Sequence, residues 1–312
     1  MTDSDWLAAR FEDHRPHLRS VAYRMLGSLA EAEDTVQDAW LRASRADASG
    51  VDNLRGWLTT IVARLCLDRL RARSARREQL VGVQLPDPIV SSIEGGTGST
   101  GPDPERLTLL ADSIGLAMLI VLDRLPPAER LAFVLHDTFG VPFDQIAPLV
   151  ERTPTATRQL ASRARRRVRG AGPTSSDVPL ARQREIVDAF IAASQAGDFD
   201  ALLRILDPDV VVRADTAADR GPFAGVTEVR GASAVAAQAT AFGRFASGAR
   251  RATVNGGAGA VVFSAGRPFA VVSVTIRGDR IVEMDFILRP ERLRALGLEA
   301  SGTHPGTTNP GN

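Results

Sequence analysis

Residues 142–169, PFDQIAPLVERTPTATRQLASRARRRVR, decide how this chain is read. A short apolar run is followed by a tight connection at Glu151, Arg152 and Thr153. In the longer run beyond it, Ala156, Leu160, Ala164 and Val168 recur every four residues. That recurrence predicts one apolar stripe along a helix. Arg158, Ser162, Arg165 and Arg169 fall opposite the stripe, flanked by Gln159, Arg163 and Arg166. Small side chains on the stripe allow close approach to a neighbouring helix, and the outer face is a row of guanidinium groups. The layout predicts a helix-turn-helix whose second helix suits the major groove. A solvated amphipathic helix would carry the same charges, but the short helix before it and the alanine-rich packing face favour the motif. Two positions depart from the motif's usual chemistry. Pro148 lies inside the first helix, where a proline costs about 3 kcal/mol and predicts a bend. Glu151 stands where a glycine would tolerate a left-handed backbone.

Upstream, PAERLAFVLHDTF reads as a helix started by Pro126 and Pro127 and ended by Gly140. Before it, LTLLADSIGLAMLIVLDRL reads as a buried core helix, too interrupted to cross a bilayer. Residues 5–78 read as three helices. The first carries Trp6, Leu7, Phe11, Leu18, Val21, Ala22, Met25 and Leu26 inward and stops at Gly27. Ser28 and Glu31 form a capping box for the second, LAEAEDTVQDAWLRA. There Ala32, Val36, Ala39, Trp40 and Ala43 face inward, and Glu33, Asp34, Gln37, Asp38 and Arg42 outward. The third, from near Asn53, turns Trp57, Ile61, Leu65 and Leu70 inward and Arg64, Asp68, Arg71 and Arg73 outward. Residues 79–105 lack periodicity and contain EGGTGSTGPDP, so they read as a flexible linker; residues 171–180 read as a second.

From residue 181 the texture changes. Two helices, at 181–196 and 198–206, precede β-type segments at VVVRA, RRATVN, AVVFSA, PFAVVSVTI and RIVEMDFIL, with a helix near 232–246 between them. Asn255-Gly256-Gly257 and Gly278-Asp279 are hairpin-turn candidates. Residues 181–298 are therefore expected to form a small α+β domain around an antiparallel sheet, followed by a disordered tail at 299–312.

At 312 residues the chain suits two or three domains, and its net charge of +1 hides local asymmetry. Residues 64–77 and 152–169 are strongly basic, while 31–38 and 198–219 lean acidic. Every basic side chain other than histidine is arginine, whose planar fork suits bidentate contacts to phosphate and guanine, although a coding bias explains the usage more simply. Cys66 is the one cysteine, so no intrachain disulfide can form. With no apolar run near the ~20 residues of a membrane helix, and no signal pattern, a soluble cytoplasmic protein is expected.

Three stretches together resemble a known family: AYRMLGSLAEAEDTVQDAWLRA (22–43), LRGWLTTIVARLCLDRLRAR (54–73) and LDRLPPAERLAFVLHDTFGVPFDQIAPLVERTPTATRQLASRARRRVR (122–169). In order and spacing they are similar to regions 2 and 4 of the extracytoplasmic-function sigma factors of RNA polymerase. The remaining half resembles a SnoaL-like (NTF2-like) domain, an α+β cone that one subgroup of these factors carries as an extension. The resemblance implies two all-α sigma domains, region 2 at 1–78 and a region 4 helix-turn-helix at 106–170, before the cone at 181–298. It also implies partners: core RNA polymerase, through the β′ clamp helices and the β flap, and promoter DNA. Asp34, Gln37, Asp38, Trp40 and Leu41 would dock the polymerase. Asn53, Arg55, Trp57, Thr60, Arg64, Arg69, Arg71 and Arg73 would receive the −10 element, where opened DNA needs a basic track and a surface for an unstacked base; Trp57 alone reads more readily as core. Thr155, Thr157, Arg158, Gln159, Ser162, Arg163, Arg165, Arg166 and Arg167 would read the −35 element, bases toward the helix start and phosphates toward its end. Leu85, Pro86, Asp87 and Pro88, with Arg289, Pro290, Glu291, Arg292 and Leu293, match motifs of the subgroup and would be regulatory. Arg289 replaces the usual asparagine of an NPDKL-like motif, and ADTAADRGPF at 214–223 stands where a DGGGR-like loop is typical.

No cofactor, metal or catalytic group is implied. His14 and His17 stand three apart, a spacing that usually marks a helix surface. A phosphate-binding loop of the lysine-containing kind is excluded, since the chain lacks lysine. Glu283 and Asp285 alternate with Val282, Met284 and Phe286 in a strand; an acid facing the interior of a cone could meet a small ligand or act as a base, but a solvent-facing acid is the commoner case. The leading reading is a non-enzymatic, monomeric initiation factor modulated in cis by its extension, which leaves room for an unknown small ligand. The alternative is a SnoaL-like ligand-binding or enzymatic domain with a DNA-binding adaptor. The acidic second helix separates the two, because an adaptor needs no polymerase-docking face.

Overall fold

The computed structural model describes residues 3–46, 50–76, 85–94, 96–97, 114–216 and 228–300. The chain divides into two compact units, one of residues 1–81 and 118–174, the other of 82–117 and 175–312.

The first unit is helical. Helices α1 (Asp3–Leu26), α2 (Leu29–Ala43) and α3 (Leu54–Arg76) enclose a core that includes Phe11, Leu18, Tyr23, Met25, Val36, Leu58 and Leu67. Gly27 ends α1 in the left-handed region at φ 71°, and the Ser28 hydroxyl accepts from the Glu31 backbone N–H to start α2. The Glu31 carboxylate pairs with Arg73 on α3, so its charge links two helices as well as favouring the α2 N-terminus. On α3 the fully buried row is Leu58, Val62, Leu65 and Cys66, with Trp57 and Ile61 half-buried at its edge. Burial pushes the Cys66 thiol up to about 12, which keeps it protonated and inert.

Helices α4 (Leu116–Asp123), α5 (Pro127–Phe133) with a π-helical turn over Val134–Thr138, α6 (Phe143–Ile146) and α7 (Pro154–Gly170) follow. The first helix of the expected helix-turn-helix is a single turn. Pro148 has no N–H to offer Asp144, and the chain tightens instead: Leu149 and Val150 both donate to the Ile146 carbonyl. Glu151 then takes φ 54°, the left-handed conformation expected of a glycine.

Although two separate helical domains were expected, both lie in this one unit. Their junction is polar and buried. The Arg130 guanidinium on α5, 1 % exposed, donates from Nε and Nη2 to the Arg24 carbonyl of α1 at 3.3 and 3.1 Å and from Nη1 to Asp123 at 3.1 Å. Arg24 in turn lies over the Phe139 ring, 5.0 Å from its centroid.

The second unit is a mixed sheet with helices on one face. In chain order its strands are β1 (Val90–Ile93), β2 (Gly96–Thr97), β3 (Leu206–Asp215), β4 (Glu228–Arg230), β5 (Ala249–Val254), β6 (Gly257–Ser264), β7 (Arg267–Arg277), β8 (Arg280–Ile287) and β9 (Glu299–Ala300). They lie in the order β4-β3-β8-β7-β6-β5-β1-β2-β9. Helices α8 (Leu180–Ala196), α9 (Phe199–Ile205) and α10 (Ala232–Ala246) pack on it, and α11 (Pro290–Ala295) follows β8. The β5–β6 turn has Asn255 and Gly256 at φ 48° and 75°, the paired positive values of a type I′ hairpin. Close packing of α10 on α8 depends on Gly243, where a Cβ would stand 2.3 Å from the Ser194 carbonyl oxygen.

Four expectations need correction. The sheet is mixed, since β3 pairs with β8 in parallel. The stretch expected as a flexible linker at 79–105 contributes β1, paired with β5, although residues 79–84, 95 and 98–105 lie outside those described. The second expected linker is stitched to the sheet: Ser176 Oγ and Asp177 Oδ1 accept from the N–H groups of Ile276 and Gly278 at 3.0 and 2.8 Å. An apolar-periodicity reading passes over such segments because backbone and polar side-chain bonds hold them. The disordered tail expected at 299–312 begins instead with β9, and residues 301–312 lie outside those described.

Candidate nucleic-acid and polymerase interfaces

The face of α2 opposite its core is short and acidic. Asp34, Gln37 and Leu41 are exposed, Leu41 by 46 %. Asp38 sits beside them but is bound to Arg69 of α3 at 2.7 Å. Trp40 faces inward at the edge of the core, its ring tilted against Phe11 at 5.1 Å. Of the five residues assigned to polymerase docking, three are therefore presented freely, one is shared with α3 and one supports the helix.

The expected −10 surface on α3 divides in the same way. Asn53 caps the helix, its Oδ1 accepting from Gly56 N–H at 2.9 Å, and Thr60 returns its hydroxyl to the Gly56 carbonyl at 2.9 Å. Arg64 and Arg71 are exposed and make no ion pair with a described residue. Arg69 is held by Asp38, and Arg73 by Glu31 and the Leu26 carbonyl. Trp57 is half-buried.

Arg55 makes a contact the sequence did not disclose. Its Nη2 donates to His17 Nδ1 at 3.0 Å, while His17 Nε2 lies 3.1 Å from Thr59 Oγ1. The Thr59 hydroxyl proton is committed to the Arg55 carbonyl at 2.7 Å, so Nε2 must carry the ring proton and donate. This bonding requires a neutral imidazole. Phe139 closes the site edge-on at 5.1 Å. Burial first, then the charges of Arg55, His14 and Arg24, lower the His17 pKa to about 4. The unfolded chain then binds the proton more readily between pH 6.5 and 4. Stability should be fully present above about pH 6.5 and fall as pH drops toward 4. His17→Gln, which keeps a donor and an acceptor, should flatten this window in melting curves taken from pH 7.5 to 4; an unchanged pH slope would remove His17 from the account.

On α7 the buried row is Thr157, Ala161, Ala164 and Val168, with Ala156 and Leu160 at its margin. A strict four-residue spacing advances 400° per step and drifts off any face, whereas the observed 4-3-4 spacing follows the 3.6-residue period. Thr157 is thereby corrected: it is 0 % exposed, donates to the Thr153 carbonyl at 3.0 Å and offers nothing to DNA. Thr155, Arg158, Gln159, Ser162, Arg163 and Arg166 share the exposed side. Arg158 is positioned over the Phe143 ring at 5.3 Å, and Phe143 is itself stacked on His136. Arg165 and Arg167 bend back, to Asp137 at 2.6 Å and to the buried Glu129 at 2.5 Å, with Arg163 4.0 Å from the same Glu129 carboxylate.

In the second unit the two regulatory stretches meet at one guanidinium, that of Arg292. Asp215, 0 % exposed at the end of β3, pairs with both Arg289 and Arg292, and Arg292 also donates to Asp87 from Nη2 at 2.7 Å. Leu85, Pro86 and Pro88 flank Asp87, Leu85 buried, while Pro290 opens α11, Glu291 lies in its first turn and Leu293 is buried. Asn255 holds the neighbouring chain at two points. Its Oδ1 accepts from Ile89 N–H at 3.0 Å and its Nδ2 donates to the Ile114 carbonyl at 3.3 Å. Glu283 and Asp285 pair with Arg213, whereas Met284 and Phe286, alternating with them, line a cavity on the other face. The acids are thus on the opposite side of the sheet from the cavity.

Such a pair of helical modules, one with an acidic exposed face and one with a basic recognition helix, defines a sigma-type initiation factor. Residues 10–76 match Sigma-70 region 2, and residues 117–168 match Sigma-70, region 4. The chain is 37 % identical over 311 residues to the ECF RNA polymerase sigma factor SigJ of Mycobacterium tuberculosis (strain ATCC 25618 / H37Rv), covering 95 % of this chain and 96 % of that protein. It is 40 % identical over 215 residues to the probable ECF RNA polymerase sigma factor SigI of M. tuberculosis (strain CDC 1551 / Oshkosh), covering 69 % and 72 %. The crystal structure of M. tuberculosis SigJ superposes with a TM-score of 0.73 at 33 % identity, over 92 % of this chain and 98 % of that one. The chain belongs to the extracytoplasmic-function sigma factors of RNA polymerase.

Proposed function

We propose that the chain docks on core RNA polymerase through the exposed side of α2, opens a promoter with α3 and reads its −35 element with α7. The partner surfaces would be the β′ clamp helices for α2 and the β flap for the second helical module. The factor would work in the cytoplasm, without catalysis of its own. What carries the proposal is the combination on α2 of exposed Asp34 and Gln37 with an exposed Leu41. A lone exposed leucine is ordinary on a surface, but one set among exposed carboxylate and amide groups on a helix suits the apolar centre of a docking surface with a polar rim. On α7, Arg158, Gln159 and Ser162 would contact bases, with Arg163 and Arg166 toward phosphates. Arg158→Ala should cost about 1–3 kcal/mol at one base pair of the −35 element, while Arg166→Ala should weaken all sequences alike. Binding of a set of single-base promoter variants measures both; equal, sequence-independent losses would overturn the division.

The C-terminal domain would modulate initiation in cis and take a small ligand. Support for the first comes from Arg292, which pairs with both Asp87 and Asp215 and so joins the 85–88 and 289–293 motifs. Removing its guanidinium breaks the pair with Asp87 and leaves the buried Asp215 to Arg289, and breaking a buried pair typically costs about 3–5 kcal/mol. Arg292→Gln should therefore loosen the 85–93 segment and alter run-off transcription from purified core enzyme by severalfold. Transcription equal to wild type from a variant with measurably faster hydrogen exchange at 89–93 would separate the extension from regulation.

A further inference from the structure

The C-terminal cavity has a composition that specifies its ligand. It lies between one face of the mixed sheet and helices α8 and α10, and its volume is about 90 Å³. Val187, Val212, Val235, Val272, Val274 and Met284 line its depth. Phe190, Phe242, Phe269 and Phe286 also border it, all half-buried, so four of the chain's 12 phenylalanines gather at one place. Among the described residues no charged side chain lines it, and its polar lining consists of Ser194 and Gln238. The Ser194 hydroxyl is spent on the Phe190 carbonyl at 2.8 Å. A trapped water needs two to four polar partners, which Gln238 cannot supply alone. An ionised ligand would lose its hydration with no opposite charge among the described lining residues to meet it, because Glu283, Asp285 and Arg213 are paired with one another on the other face.

We infer that this cavity binds an uncharged, hydrocarbon-rich molecule, presenting one ring or a branched alkyl group of about six to eight heavy atoms. An enclosed apolar cavity of roughly 150 Å³ admits benzene; this one is smaller, and its half-exposed phenylalanines let a ring or the remainder of a longer molecule extend outward. The inference rests on the reading of the C-terminal domain as a ligand-binding module and adds the chemical class.

The chain supplies its own reporter. Among its four methionines, Met284 is the one in the cavity wall; Met25 and Met118 lie in the other unit. Full-length protein labelled with ¹³C at the methionine methyls would be titrated with toluene and, separately, with benzoate. Toluene should shift the Met284 methyl resonance saturably, leave those of Met25 and Met118 in place, and show a nuclear Overhauser contact to the Met284 methyl. Benzoate should leave all of them unmoved. Ala260→Leu, which fills the cavity from β6, should remove the toluene shift. A saturable Met284 shift with benzoate and none with toluene would overturn the chemical class while leaving a ligand-binding domain. No shift with either probe would overturn both readings. A toluene shift undiminished in a folded Ala260→Leu protein would place the probe elsewhere and overturn the site. Should Ala260→Leu fail to fold, the Overhauser contact in the unaltered protein decides the site by itself.

Discussion

Asp34→Arg is expected to weaken binding of the chain to core RNA polymerase by about two orders of magnitude, the several kcal/mol that a reversed charge costs in an interface. The substitution is a clean one because Asp34 is exposed and makes no ion pair with a described residue. Asp38 is a poorer choice. It holds Arg69 at 2.7 Å, so reversing it would also set two cations against each other between α2 and α3. A surface change of this kind should move the folding stability by no more than about 0.5 kcal/mol. Thermal melting provides that control, and a fluorescence titration with core enzyme provides the affinity. Wild-type affinity in a stable Asp34→Arg protein would remove α2 as the docking face.

Arg130→Ala should be the most damaging single substitution in the helical unit, costing about 3–5 kcal/mol. The guanidinium is 1 % exposed, and burial lowers its pKa to about 10, which still leaves it charged at neutral pH. Truncation removes the hydrogen bonds that Arg130 gives the Arg24 carbonyl and the Asp123 carboxylate and opens a cavity between α1 and α5. Arg130→Met keeps the volume and loses only the bonds, so its loss should be smaller. Urea denaturation of the three proteins measures the difference in midpoint. A loss below about 1 kcal/mol for Arg130→Ala would mean that the junction between the two helical modules is held by its apolar contacts alone.

The elements of the helical half were legible because each has a local cause. Gly27 and Ser28 mark a stop and a start, Pro126 and Pro127 another start, and Gly140 a stop. The five main strands and the helix at 232–246 were legible for the same reason, through alternation and turn residues. Site residues were harder. Arg158 and Arg167 look alike in the sequence, but one lies over a ring on the exposed face and the other is tied to Glu129. Thr157 looked available because a four-residue stripe approximates the helical period only over a short run. Nothing local marks Glu129 or Arg130 as buried, or Arg292 as the meeting point of two motifs, since partners such as Arg167, Arg24 and Asp87 come from 38 to 205 residues away.

By itself, then, the sequence determined the helical modules, the helix-turn-helix, the strand-rich second half and the family, since these follow from periodicity, caps and short motifs. Tertiary structure decided what those signals cannot carry. It placed both helical modules in one unit around Arg130, drew residues 90–93 into the sheet, turned Glu283 and Asp285 away from the cavity, and sorted the arginines into paired and free. The reason is physical. A guanidinium binds whichever carboxylate or carbonyl the fold brings within about 3 Å, and that neighbour is set by packing across the chain, not by the residues beside it.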